Sequence, residues 1–336
     1  MRAFVLSAYG GPEHTALIDV PQPSPRTGEV LVRVHAAGLN PVDFKTRAGA
    51  LKVIRNYPLP IVMGNELSGV VEAVGAGVTR FAKGDRVFAR VDKDNMGAFA
   101  EFAVVHEAHA ARMPASLDFT TAAAVPLAAL TALQALRDEL HVSAGQRVFI
   151  PGGAGGVGTF AIQLAKHLGA HVATTASPRG EALVRRLGAD VVIDYTRERF
   201  EDKLSGYDCA FDLLGGDTLA RVWSVLKPGG RVVSIAGMPE PVTARKDLGR
   251  GTLLAALFWV ISLSTRMRAA RHGCSYRYLF MHPSGADLAY LASLIDAKQL
   301  EVVVDRIFPF VEAKEAMAYL EAGHAKGKVV LRLQSS

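Results

Sequence analysis

The chain has 336 residues, half of them hydrophobic and 21% charged, the composition of a globular protein of about two domains with real cores. Its formal net charge of +6 comes from scattered rather than blocked basic residues, which argues against a nucleic-acid partner and is satisfied by an anionic cofactor. Two cysteines, Cys209 and Cys274, exclude a disulfide framework and a cysteine-rich metal site.

The opening MRAFVLSAYGG runs into a strand pattern and lacks the apolar core of a signal peptide, so a reducing, cytoplasmic setting is expected. Residues 1–112 read as β-rich. VLVRVHAAGLN (30–40), IVMGNELSGVVEAVG (61–75) and GDRVFARV (84–91) are β-branched runs separated by Gly, Pro and Asp turns. The character changes near residue 116, where SLDFTTAAAVPLAALTALQAL has helix composition. Strands and helices then alternate: strand 147–151, helix 156–168, strand 171–177, helix 180–187, strands 191–195 and 208–214, helix near 219–226, strand 231–237. This alternation predicts a parallel, doubly wound α/β sheet. Residues 240–275 form a long excursion, followed by a strand at 276–281, a helix at 285–298 and a strand–helix–strand tail.

Within the excursion, 252–263 (TLLAALFWVISL) is apolar all round as a helix, so it is expected to be buried against the domain, a dimer partner or the cleft. No run reaches the ~18–20 apolar residues that cross a bilayer. Arg245, Lys246 and Arg250 before it, and Arg266, Arg268 and Arg271 after it, give a second reading, a peripheral membrane contact.

The most informative stretch is VFIPGGAGGVG (148–158). Gly153, Gly155 and Gly158, with Gly156 and Val157 between them, fit G-x-G-x-x-G directly after a strand and at the start of a helix. Such glycines allow a sharp turn and close approach of a pyrophosphate, which the helix N-terminus then holds. An NAD enzyme places Asp or Glu about 20 residues further on. Here the sequence is Thr175-Ala176-Ser177-Pro178-Arg179, with no acid until Glu181. Ser177 and Arg179 suit a 2′-phosphate, so NADP(H) is the expected cofactor.

By these residues the chain resembles the medium-chain dehydrogenase/reductase superfamily, in its zinc-free quinone oxidoreductase branch. The resemblance covers nearly the whole chain through GEVLVRVHAAGLNPVDFKTRAG (28–49), GNELSGVVEAVGAGVTRFAKGDRV (64–87), GAFAEFAVV (97–105), LGADVVIDY (187–195), LKPGGRVVSIAG (226–237) and AGHAKGKVVL (322–331). YRYLFMHPSG and GHAKGK look most like the subgroup of the mitochondrial reticulon-interacting oxidoreductase and the chloroplast-envelope quinone oxidoreductase homologue. The resemblance implies a GroES-like catalytic domain over 1–122 and 298–336 and a Rossmann domain over 123–297, with the substrate cleft between them. Where the zinc alcohol dehydrogenases carry a cysteine and a Gly-His-Glu motif, this chain has Asn40 and Gly64-Asn65-Glu66, and amides are poor zinc ligands. No metal is expected.

The resemblance also implies site residues. Asn40 and Asp43 would line the cleft facing the nicotinamide, Asn40 as a donor to the substrate oxygen. Thr131 would touch the nicotinamide ribose or carboxamide, and Tyr195 would pack at the adenosine phosphate, with a buried core tyrosine as its alternative. Leu214, Gly237 and Phe280 fall on the predicted carboxyl edge of the sheet. Backbone near Phe280 and Met281 would meet the carboxamide, and His324, Ala325 and Lys326 would close over the cofactor. The expected activity is hydride transfer from NADPH to a quinone or an enone, in a homodimer with an edge strand near 276–281 as one interface. The rivals are a zinc alcohol dehydrogenase and an NADPH-binding protein with little turnover.

Overall fold

The structure is a computed structural model describing residues 1–92 and 95–334. Contacts divide the chain into two units, 1–130 with 283–336, and 131–282.

The first unit is built on a seven-stranded sheet. Its order runs Val304–Pro309, Lys328–Arg332, Glu29–Leu39, Glu66–Val74, Arg86–Arg90, Ala110–Arg112, with Phe102–His106 also paired to Glu29–Leu39. The strand Lys328–Arg332 is antiparallel to Glu29–Leu39, with Val329 opposite Leu39, so the end of the chain is seated beside the GLN segment. Alternating Val30, Val32, Val34, Leu67, Val71, Val87 and Val329 point to one core with Phe4, Phe99 and Met317. A separate three-stranded sheet, Thr15–Asp19, Arg2–Leu6 and Ile61–Val62, flanks it. The helix Gly285–Asp296 belongs to this unit, where it packs on the Ala110–Arg112 strand; the sequence-based boundary had placed it in the nucleotide-binding segment.

The second unit is a six-stranded parallel sheet ordered Val191–Asp194, His171–Ala176, Arg147–Ile150, Tyr207–Asp212, Leu226–Ser234, Ser275–Tyr278. This is the 3-2-1-4-5-6 order of a Rossmann fold, and its switch point lies between Arg147–Ile150 and Tyr207–Asp212. Phe149, Ala173, Ile193, Tyr207, Trp223 and Val232 fill one side of the sheet. The predicted long helix after residue 116 is broken: Phe119–Ala122 and Pro126–Leu133 are separate, because Pro126 lacks the N–H a continuing helix needs.

The apolar helix of the excursion packs on its own unit along one stripe only. Thr252–Ile261 and Leu263–Arg271 are two helices bent by 60° at Ser262, whose hydroxyl donates to the Phe258 carbonyl at 2.6 Å. Across the pair only Ala255, Phe258, Ser262 and Ala269 are buried, while Leu253 is 88% and Val260 61% exposed. The apolar helix is therefore covered along one stripe and bare along the other. No single helix among the described residues is long and apolar enough to cross a membrane.

Candidate active site

The glycine loop lies between the strand Arg147–Ile150 and the helix Gly156–His167. Gly152 adopts φ +81°, in the left-handed region that favours glycine. A Cβ on Gly153 would lie 2.2 Å from Thr174 Oγ1, and one on Gly158 would lie 2.5 Å from the Gly152 carbonyl oxygen. Those two glycines press the loop onto the second strand and the helix into the loop. Gly155 differs, since a Cβ there would meet only the Gly152 carbonyl oxygen, at 3.5 Å, and otherwise points into open space. The Gly152 N–H donates to Thr175 Oγ1 at 2.9 Å and the Gly153 N–H to the Thr175 carbonyl at 3.2 Å, so Thr175 braces the loop from below. No side chain caps the helix at Gly155, and its first N–H groups, including those of Gly156 and Val157, have no intrahelical acceptor by geometry. Outward donors, a positive helix end and clearance at Gly155 fit a pyrophosphate.

The second strand ends at Ala176, and Ser177 precedes the helix Pro178–Arg186 without capping it through its hydroxyl. Arg179 is exposed, and the first acid, Glu181, is engaged by Arg185 at 2.8 Å. This corner therefore presents a hydroxyl and a guanidinium and no free carboxylate. Tyr195, just past Val191–Asp194, is 62% exposed and is not a core tyrosine.

The carboxyl ends of the next strands are shaped by a pair the sequence reading did not single out. Asp212 is fully buried, accepts from Ser234 Oγ at 2.6 Å, and accepts the N–H groups of Leu214 and Gly215 at 3.2 and 3.0 Å. Burial pushes its carboxyl above the usual range. Ser234 Oγ in turn accepts from Ala236 and Gly237 N–H at 3.1 and 2.8 Å. One carboxylate–hydroxyl pair thus sets both loops that carry Leu214 and Gly237. Beyond the edge strand, the Phe280 N–H donates to Asp247 Oδ2 at 2.9 Å, so that donor is already used. Arg277 ties the strand to the excursion through Glu240 and Asp247, and to the helical turn Gln134–Glu139 through Glu139. Met281 follows without a regular element.

In the first unit, Asn40 and Asp43 come together in a buried polar network. Asn40 starts the helix Pro41–Arg47, and its N–H donates to Asp43 Oδ2 at 2.7 Å. Asn65 Nδ2 donates to Asp43 Oδ1 at 2.6 Å. Asn40 Nδ2 donates to Glu66 Oε1 at 2.6 Å, and Lys328 Nζ donates to Glu66 Oε1 at 2.7 Å, to the Leu39 carbonyl at 2.9 Å and to Asn40 Oδ1. Glu66 Oε2 accepts the Leu127 N–H at 2.6 Å and so caps the helix Pro126–Leu133. Asp43 and Glu66 are fully buried, and Lys328 is 3% exposed. Burial pushes the Asp43 carboxyl up from 3.8 to about 6, against the Asn65 and Asn40 hydrogen bonds, which favour its charged form. Both polar ends of the Asn40 amide are engaged within the protein, which differs from the free donor expected of it.

Glu66 and Lys328 carry this network, and the sequence reading named neither as a site residue. The signal was a lysine opening the otherwise apolar strand KVVL. Of the remaining expected residues, Thr131 is buried on the helix Pro126–Leu133. His324 is exposed, Ala325 and Lys326 are half-buried, and all three precede the last strand. Among the described residues no group of three or more His, Cys, Asp or Glu is placed to hold a metal.

Residues 26–115 match the family described as alcohol dehydrogenase GroES-like domain, and residues 187–331 the family described as zinc-binding dehydrogenase. The chain is 36% identical to the mitochondrial NAD(P)H oxidoreductase RTN4IP1 of Danio rerio, over 99% of this chain and 91% of that protein. The chain belongs to the medium-chain dehydrogenase/reductase superfamily, in its quinone oxidoreductase-like branch. Another member of this superfamily, the chloroplastic NADPH-dependent alkenal/one oxidoreductase of Arabidopsis thaliana, is 38% identical over 98% of this chain and 79% of its own length. Among solved structures, the quinone oxidoreductase from Coxiella burnetii superposes with a TM-score of 0.87 at 33% identity, covering 99% of both chains. The GroES-like and Rossmann architecture expected from the sequence is that of the superfamily.

Proposed function

We propose that this chain is an NADPH-dependent, zinc-independent reductase that passes hydride to a quinone or to the β-carbon of an α,β-unsaturated carbonyl. The observation that carries the reading is the buried network in which the Lys328 ammonium contacts Asn40 and Glu66. In the zinc-dependent members of the superfamily a cysteine stands at the position of Asn40 and a His-Glu pair at the positions of Asn65 and Glu66. Here they present two amides and a carboxylate already neutralised by a fixed cation, a donor set that suits an ammonium and not zinc.

NADPH, when bound, supplies the hydride, and an acceptor conjugated to a carbonyl takes it without a Lewis acid. Gly155 and the start of the helix Gly156–His167 would hold the pyrophosphate, and Ser177 and Arg179 the 2′-phosphate. Asp212 and Ser234 hold the loops of Leu214 and Gly237 in place along the carboxyl edge. Lys328 and Glu66 fix the loop from Gly38 to Asp43. The names of the relatives, an NADPH-dependent alkenal/one oxidoreductase and a quinone oxidoreductase, support the acceptor class. A homodimer belongs to the same proposal, supported by the position of Ser275–Tyr278 at the open edge of its sheet.

The test is NADPH oxidation followed against a panel of quinones, alkenals and enones on protein assayed for metal. Turnover by zinc-free protein supports the reading. Stoichiometric zinc required for turnover, or tight NADPH binding with no turnover on any acceptor, overturns it.

A further inference from the structure

The helix Thr252–Ile261 is apolar on both sides, yet the fold uses only one of them. Its buried stripe is Ala255, Phe258 and Ser262. Leu253, Leu257, Val260 and Ile261, spaced four, seven and eight residues from the first, share the other side and are 40–88% exposed. Trp259 and Leu263 extend this face at its edge, and Met267 continues it onto the second helix. Single exposed apolar residues are ordinary, whereas a continuous face of this kind marks an interaction surface.

The charges around the face say what covers it. Between Asp247 and Asp287 the sequence contains no Asp or Glu, while Arg250, Arg268 and Arg271 are exposed at the two ends of the helix pair. Arg266 stacks over Trp259, 5.2 Å from the ring centroid, and donates to the Trp259 carbonyl at 3.1 Å. A twofold contact with a second copy through this face would set these arginines against their own counterparts with no carboxylate in the stretch to answer them. An anionic surface answers all of them. A helix of ten residues is about 15 Å long, half the hydrocarbon thickness of a bilayer, so it lies in the interface and does not cross it. The second helix also borders a cavity of about 230 Å³, lined by Ser264, Thr265 and Arg268 on the helix side and by Gly237 and Met238 on the sheet side, among others.

We propose that the bent helix pair Thr252–Ile261 and Leu263–Arg271 is a docking surface for an anionic lipid bilayer, with Leu253, Leu257, Val260 and Ile261 entering the acyl region and the arginines meeting the headgroups. This rests on the exposed face and not on the reductase reading, and it fails or stands separately from it.

The chain contains two tryptophans, and Trp223 is 2% exposed in the core of the Rossmann unit. Trp259 is therefore the reporter. The full chain is titrated with phosphatidylcholine vesicles carrying brominated acyl chains, with and without phosphatidylglycerol, at low and high salt. The expected result is quenching and a blue shift with phosphatidylglycerol at low salt, weakened by high salt and abolished in Trp259→Phe. Leu253→Glu with Val260→Glu should weaken vesicle binding by about tenfold or more. The same variant should keep its melting temperature and its NADPH oxidation with a water-soluble acceptor, because both side chains are exposed. No quenching by anionic vesicles at low salt overturns the proposal. So does a wild-type dimer that the double substitution turns into a monomer without any lipid response, which would assign the face to a second copy.

Discussion

Replacing Lys328 by Met keeps the aliphatic stem and removes the ammonium from the centre of the Asn40–Glu66 network. Its Nζ is 2.7 Å from Glu66 Oε1 and 2.9 Å from the Leu39 carbonyl, and it also contacts Asn40 Oδ1. Hydrogen bonds to a charged group are worth about 1.5–3 kcal/mol each before the ammonium's own desolvation is charged against them. What remains after the substitution is a carboxylate that is 0% exposed, held only by the Asn40 amide and the Leu127 N–H. Stranding one partner of a buried pair costs about 3–5 kcal/mol, and that is the loss expected for Lys328→Met. Urea unfolding followed by circular dichroism reads it as a lower midpoint at unchanged slope. Glu66→Gln added to Lys328→Met removes the stranded charge, so the double variant should be more stable than Lys328→Met alone by about 1–2 kcal/mol. A loss under about 0.5 kcal/mol for Lys328→Met, the range of an exposed pair, would refute the buried network. So would a double variant that costs the sum of its two single substitutions.

The loop offers a contrast between neighbouring glycines. Gly158→Ala places a Cβ 2.5 Å from backbone and should lower the melting temperature, whereas Gly155→Ala has room in the protein and should lose NADPH affinity at an unchanged melting temperature. Unaltered NADPH binding by Gly155→Ala would remove the pyrophosphate from this loop. Arg179→Ala should raise the KM for NADPH by about 10–100-fold through the lost charge-assisted bonds and leave the KM for NADH unchanged; equal effects on both would defeat the 2′-phosphate assignment. Asp43 titrates near 6 in the folded protein against 3.8 ordinarily, so the native state holds its proton more tightly. Its contribution to stability is full below about pH 3.8 and is lost as the pH rises through 6, by about 3 kcal/mol at 1.36 kcal/mol per pKa unit. Asp43→Asn does not undergo this loss, so from about pH 4 to about pH 7 its stability should gain on the wild type by that amount. A difference that stays constant over the range would show that Asp43 ionises normally.

The parts of this protein that sequence made legible are those whose function is local. The strand–glycine–helix unit is consecutive in the chain, so its spacing alone predicted the tight turn that the structure has at Gly152 and the helix start at Gly156, and the absence of an acid after Thr175 was visible in the same window. The buried network was not legible in that way. Asn40, Glu66, Leu127 and Lys328 come from four separate segments, and only the pairing of Val329 with Leu39 brings the last strand to the first. In GHAKGK the two lysines are equivalent as text. Strand register buries Lys328 against Glu66 and leaves Lys326 half-exposed before the strand begins.

The apolar helix shows the same limit from the other direction. Composition says that 252–263 must be covered by something apolar, but it leaves open whether the domain, a dimer partner, the cleft or a membrane does the covering. With the bend at Ser262 and Arg277 paired to Asp247, the pair reaches the domain through the Ala255–Phe258 stripe of the first helix and through Ala269 of the second. An exposed Leu253 is therefore not a packing defect that substitution should repair. If Leu253→Glu and Val260→Glu leave stability intact and abolish vesicle binding, the sequence has placed apolar residues where folding gains nothing from them, and the lipid surface accounts for their presence.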